Sequence, residues 1–184
     1  MNFLETPLKD LYIVEPRVFS DARGYFFESF NAKTAVGTPL ENYRWVQDNE
    51  SQSIKGVLRG LHFQKGDHSQ AKLVRVISGQ VFDVAVDLRE DSPTFRKWFG
   101  MVLSSENKKQ MLIPRGFAHG FLVLSDSATF TYKCDNYYAS ESDSGFLYND
   151  PDIGIKWPDL GMAYIISEKD QNLGTFSSSY KFQL

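Results

Sequence analysis

Two neighbouring stretches, Gly56-Val57-Leu58-Arg59-Gly60-Leu61-His62-Phe63-Gln64 and Gln70-Ala71-Lys72-Leu73-Val74-Arg75-Val76, read as strands, yet they carry a guanidinium, an imidazole and an ammonium. Unpaired charge is costly to bury, and Asp83 and Tyr132 also fall in or beside strands, so convergence on an aqueous pocket resolves the cost. Taken one at a time, the residues have plainer explanations. His62 suits a half-buried strand histidine, Lys72 an edge-strand surface lysine, and Arg59 one half of a salt bridge to Asp83. Tyr132 and Tyr138 suit core or rim aromatics, and nothing marks Cys134 as an activated thiolate. It is the clustering that favours a site.

The three histidines, His62, His68 and His119, raise metal binding first. Pro114-Arg115-Gly116-Phe117-Ala118-His119 matches the second half of a cupin metal motif, P-x-G-x-x-H. The first half, H-x-H followed by Glu, fails: Gln64 stands where the second imidazole belongs, and no Glu follows at four or five residues. A neutral amide is a poor ligand for a divalent transition metal. No metal and no cofactor are expected.

The elements that must position these residues are short strands. Leu11 to Phe19 reads as extended, Asp21-Ala22-Arg23-Gly24 as a turn, and Tyr25 to Phe30 as an aromatic strand. Asn31 is placed to cap a short helix over Ala32 to Val36, ended by Gly37 and Pro39. Trp45 to Ser53 alternates, with Gln47, Asn49, Ser51 and Ser53 on one face and Val46 and Asp48 on the other. In the next strand, regular alternation sends Arg59 and His62 to opposite faces, so both serve one pocket only if the strand is irregular at Gly60. Gly79 to Leu88 sets Phe82, Val84, Val86 and Leu88 against Val81, Asp83, Ala85 and Asp87. Strands at Trp98 to Leu103, Met111 to Ile113, Phe117 to Leu124 and Ala128 to Cys134 follow, then loops and a weakly supported C-terminal helix. Many short strands with regularly spaced turn signals predict an all-β fold, a jelly-roll β-sandwich or barrel with a few short peripheral helices.

The 184 residues suffice for a single domain, 1–184, with a substantial core. Aromatic residues at 15%, among them 15 Phe and 9 Tyr, lean toward β structure. A net charge of −3 supplies no field to gather nucleic acid or an anionic membrane, so any phosphate must be held by local basic residues. One cysteine fits a reducing compartment, and no export signal or membrane span is read, so the cytoplasm is expected.

Together these segments resemble the deoxythymidine-diphosphate-4-dehydrorhamnose (dTDP-4-dehydrorhamnose) 3,5-epimerase family. The resemblance rests on Asp21-Ala22-Arg23-Gly24 with Phe27-Glu28-Ser29-Phe30, Gln47-Asp48-Asn49, GVLRGLHFQ at 56–64, AKLVRV at 71–76, GQVFDVAVDLREDSPTF at 79–95, IPRGFAHGFLVL at 113–124, YKCDNYY at 132–138 and SEKD at 167–170. It runs from about Leu11 to Asp170. Phe63 departs from the Tyr of many members and Arg96 from their Gly. The resemblance implies a metal-free cupin-like homodimer that inverts C3 and C5 of a 4-keto-6-deoxyhexose on a nucleoside diphosphate, through enolates. It also implies His62 as base in a dyad with Asp170, Lys72 at the enolate oxygen and Tyr132 as the acid on the opposite ring face. Arg23 and Arg59 are implied at the diphosphate and Tyr138 stacked on the thymine. Further substrate contacts follow from it at Phe26, Glu28, Gln47, Asp48, Asn49, Asp83, His119, Asp143 and Lys169, with Arg23, Phe26 and Glu28 reaching the partner's site. Three alternatives stay open: an enzyme that inverts one centre or isomerises the keto sugar, a metal-dependent cupin, and a non-catalytic sugar-nucleotide binder.

Overall fold

The computed structural model describes residues 1–183. The first seven strands are β1 (Asn2–Glu5), β2 (Tyr12–Glu15), β3 (Phe19–Asp21), β4 (Gly24–Phe26), β5 (Gln47–Ile54), β6 (Val57–Gln64) and β7 (Lys72–Ser78). Seven more follow: β8 (Gln80–Asp87), β9 (Trp98–Ser104), β10 (Gln110–Ile113), β11 (Phe117–Val123), β12 (Ser127–Cys134), β13 (Asp143–Gly145) and β14 (Ile165–Ile166). Helix α1 spans only Glu168–Gln171, and three 3-10 turns complete the regular structure. The fold is all-β, as the strand pattern predicts. No helix among the described residues is long and apolar enough to cross a membrane.

One sheet has the order β1-β2-β10-β7-β12-β5, and the other runs β13-β6-β11-β8-β9 with β14 beside β6. Alternation explains how they stack. Val74 and Val76 of β7 and Phe130 of β12 point inward to meet Phe121 and Val123 of β11 and Val81 and Ala85 of β8. Val84, Val86 and Leu88 occupy the other face of β8's segment and pack beneath Phe146, Ile153, Phe176 and Phe182 of the C-terminal segment. A strand buried on both faces reads as continuously apolar, which is why Asp83 in its middle demands a reason.

The predicted helix over Ala32 to Val36 does not form. Those residues make consecutive turns, with Asn31 accepting from the Lys33 N–H, and a 3-10 turn capped by Thr38 follows at Pro39–Asn42. A segment so short cannot repay helix nucleation when its apolar positions divide between buried Ala35 and exposed Val36. The aromatic strand ends early, at Phe26, and β1 was not read from the sequence.

The expected irregularity lies at Gly60. Its φ is +121°, the Gly60-Leu61 peptide is cis, and the pairing of β11 with β6 shifts register between His119 and Phe121. A Cβ on Gly60 would sit 2.7 Å from the Gly120 Cα, and one on Gly120 would sit 2.7 Å from the Arg59 carbonyl oxygen. Two glycines therefore let β6 and β11 approach where the alternation breaks.

Candidate active site

Between the sheets opens a cavity of about 540 Å3, within the range of small-ligand sites. Its wall includes Arg59 and His62 from β6, His119 from β11, Lys72 from β7 and Tyr132 from β12, with Lys169 and Asp170 supplied by α1. Residues from opposite sheets thus face one space, and Arg59 and His62 both line it.

The strongest polar contact is between His62 Nε2 and Asp170 Oδ1, at 2.7 Å. Asp170 is buried, and its second oxygen accepts the Gly60 N–H at 3.1 Å. Burial works against the anion, but the His62 and Gly60 hydrogen bonds outweigh it and hold the carboxyl below its ordinary 3.8. An ionised carboxylate only accepts, so the proton sits on Nε2 and Nδ1 keeps its lone pair. Ser167 fixes the arrangement from below, because its hydroxyl accepts the Asp170 N–H at the start of α1. The Ser167 cap was not read from the sequence; the pairing of Asp170 with His62 is the one the family resemblance implies.

Across the cavity, burial raises the Tyr132 phenol, reinforced by Cys134 and opposed by Arg59, so the group stays protonated at neutral pH. The Lys72 ammonium lies 5.7 Å from the centre of the Tyr132 ring. Burial lowers the lysine, while nearby groups including Asp83 and Asp143 raise it. Arg59 is steadied by its Nε donating to Ser53 Oγ at 3.1 Å, a partner not foreseen. The plainer alternative, an Arg59 to Asp83 salt bridge, does not form among the described residues; Asp83 instead binds His119 at 2.9 Å. The reason is position: Asp83 lies opposite Phe121 in the middle of its sheet and is fully buried, whereas Arg59 is exposed.

Asp143 and Lys169 form an ion pair, and Gln64 donates to Asp143 at 3.4 Å. The Gln64 carbonyl also accepts the Ala139 N–H, so the amide ties β6 to the following segment. Gln47 accepts the Tyr138 N–H at 3.0 Å and donates to Asn49 at 2.9 Å, all near the end of β5. The Tyr138 ring is exposed.

Asp83, Asp143, Gln47, Asn49 and Tyr138 do not themselves line the cavity, and other predicted residues lie elsewhere. Asp48 lies on the opposite face of β5, ion-paired with Lys133 at 2.9 Å, as the alternation requires. Arg23 and Phe26 lie on the projecting β3-β4 hairpin, where Arg23 pairs with Asp21 and Phe26 is exposed. Glu28 accepts from Asn31 at 2.5 Å. Among the described residues, no three His, Cys, Asp or Glu side chains are grouped to hold a metal ion.

The family model for dTDP-4-dehydrorhamnose 3,5-epimerase matches residues 5–178. The chain belongs to this family. It is 52% identical to the dTDP-4-dehydrorhamnose 3,5-epimerase of Escherichia coli (strain K12), covering 100% of this chain and 99% of that one. The crystal structure of the dTDP-4-dehydrorhamnose 3,5-epimerase from Elizabethkingia anophelis NUHP1 superposes with a TM-score of 0.91 at 55% identity, over 98% of this chain and 99% of that one. The dTDP-6-deoxy-D-glucose-3,5-epimerase of Legionella pneumophila Philadelphia 1, solved in complex with dTDP-4-keto-L-rhamnose, superposes at 0.93 with 48% identity, over 100% and 99%. The fold described above is therefore shared with solved members of this epimerase family.

Proposed function

We propose that the protein is a dTDP-4-dehydrorhamnose 3,5-epimerase, inverting C3 and C5 of a dTDP-linked 4-keto-6-deoxyglucose. The observation that carries this reading is the His62–Asp170 pair facing a protonated Tyr132 across one cavity, with Lys72 beside it. Both carbons are α to the C4 ketone, so either C–H bond yields its electron pair to an enolate. His62 Nδ1 takes the proton, and Asp170 stabilises the resulting imidazolium. Lys72 holds the oxyanion, an interaction whose loss costs about 3–4 kcal/mol in barrier. Tyr132, on the facing sheet, returns a proton to the opposite face of the ring.

Arg59 holds diphosphate oxygens in a guanidinium fork, and Tyr138 stacks on the thymine. Gln47, Asn49, Asp83, His119, Asp143 and Lys169 support the sugar nucleotide or the groups around it. The chain acts as one domain and as a homodimer in the cytoplasm. Exposed Phe19, Tyr25 and Phe26 on the β3-β4 hairpin suit contact with a second copy, which would carry Arg23, Phe26 and Glu28 to the partner's cavity.

The test is incubation with the 4-keto-6-deoxyglucose nucleotide in deuterated water. Deuterium at both C3 and C5 is expected. Exchange at one carbon alone would identify a monoepimerase, and exchange at neither would remove the catalytic reading.

A further inference from the structure

Asp83 sits in the middle of β8, fully buried, with its side chain on the face between the two sheets. One carboxylate oxygen, Oδ2, is engaged by His119 Nε2 at 2.9 Å. The other, Oδ1, is buried with no hydrogen-bond partner among the described residues. Across the gap, on β7 of the opposite sheet, the Lys72 ammonium likewise has no hydrogen bond or ion pair among the described residues; the Tyr132 ring is its polar neighbour. A buried carboxylate with one free oxygen and a partly buried ammonium without a partner, both on strand faces turned toward the space between the sheets, favour each other's charge, although they make no direct ion pair in this structure.

Each competing partner for Lys72 is already spoken for. Asp143 is paired with Lys169 and accepts from Gln64. Asp170 gives one oxygen to His62 and the other to Gly60. Cys134 on β12 is a neutral thiol at pH 7, because burial pushes it up to about 11. Tyr132 is a neutral phenol, and the imidazoles of His62 and His119 supply no negative charge. Glu50 also lines the cavity but is solvent-exposed, where water satisfies it; among the buried carboxylates near Lys72, only Asp83 keeps an unused acceptor. Burial pushes its carboxyl up, and His119 and Lys72 pull it back, so the lysine and the carboxyl each favour the other's charged form.

We propose that Asp83 is a positioning residue for Lys72: His119 anchors one of its oxygens, and the other holds the Lys72 ammonium charged and directed into the cavity. The inference deepens the reading of Lys72 as the cation at the enolate oxygen and rests on that reading for its kinetic consequence. Lys72 must be an ammonium before an oxyanion forms, and a cavity that excludes water favours the neutral amine. A fixed carboxylate behind the lysine opposes that preference without touching the substrate.

The deciding variant is Asp83→Asn, which keeps the shape and an acceptor for His119 while removing the charge. In protein labelled with 13C-lysine, with the Lys72 signal assigned through Lys72→Arg, the Lys72 pKa should fall by about one unit or more. An unchanged pKa would overturn the proposal. In turnover, kcat should drop at least about tenfold with KM changed less than about threefold, and the alkaline limb of the kcat profile should move to lower pH. Asp83→Glu, which restores the charge on a longer arm, should return the titration toward the wild-type value. Wild-type protein provides a measurement independent of any variant's folding: the Lys72 signal should be that of an ammonium at neutral pH, and a neutral amine there would overturn the proposal. The resonance measurements need no turnover, so absence of deuterium exchange would count against the epimerase reading and leave the Asp83–Lys72 result standing or falling by itself.

Discussion

The dyad concentrates the chemistry on few atoms, and its variants should separate the steps. His62→Ala should abolish deuterium exchange at both carbons. Asp170→Asn should preserve the cavity but lower the exchange rate by about 10²–10⁴, because the imidazolium loses its counter-charge and the tautomer is no longer fixed. Tyr132→Phe should retain exchange on the His62 face while impairing inversion, seen as label entering recovered substrate faster than product forms. Asp170 also has a pH signature. A carboxyl whose folded pKa is depressed contributes stability above its unfolded value, near 3.8, and loses it as the pH falls through the lower folded value. The difference in melting temperature between wild type and Asp170→Asn should therefore be greatest near neutrality and shrink below about pH 4, as followed by scanning calorimetry. At this scale the sequence was most informative. His62, Lys72, Tyr132 and Asp170 are four residue types whose joint presence in a family pattern names their tasks. Ser53 and Ser167, which hold Arg59 and Asp170, escaped notice because a serine in a strand or before a short helix is chemically ordinary.

Among the elements, β6 and β11 set the geometry, and their close approach depends on Gly120. A methyl group there meets the Arg59 carbonyl at 2.7 Å and the Leu61 side chain at 2.9 Å, and the backbone oxygen cannot turn aside. Gly120→Ala should cost about 1–3 kcal/mol. At roughly 2–4 °C per kcal/mol for a chain of this size, the melting temperature should fall by several degrees. Exchange activity should fall further than stability alone explains, since Arg59 and His62 flank the displaced point. Helix α1 makes a smaller contribution. Ser167→Ala removes its cap at about 0.5–2 kcal/mol and should raise the fluctuation of Asp170, read as faster amide hydrogen exchange over Glu168–Gln171. Strand alternation was legible for β5 and β8, where one face is polar and the other apolar or adjoins the cavity. The helix over Ala32 to Val36 was misread because a cap and a glycine stop were counted without an apolar face long enough to hold them.

At the scale of the whole molecule, the β3-β4 hairpin is the feature that the isolated chain leaves unexplained. Its Phe26 is 66% exposed, and Arg23 projects away from the cavity to pair with Asp21. If the hairpin completes a partner's site, defects in different copies should complement. Arg23→Ala and His62→Ala should each be inactive or nearly so alone. Mixed and allowed to exchange subunits, half the dimers become heterodimers, each with one site carrying both native residues, so activity should recover to about a quarter of wild type. No recovery after verified exchange would show that Arg23 does not serve the partner's site. Phe26→Asp should also weaken self-association in sedimentation velocity, since it puts charge on the proposed contact.

Composition, alternation and the family motifs determined by themselves the all-β architecture and singled out the residues proposed as base, cation and acid, because residue types with matched chemistry and strands with period two are written locally. The need for an irregularity at Gly60 was local too, since parity alone forbids Arg59 and His62 from sharing a face. Only the tertiary structure decided the pairings. Asp83 turned to His119 and not to Arg59, Arg59 found Ser53, and Asp48 fell on the outer face with Lys133. Such pairings join residues on different strands, and hydrogen bonding acts over about 3 Å, so partners are chosen only when the sheets stack and distance, burial and competing donors become definite.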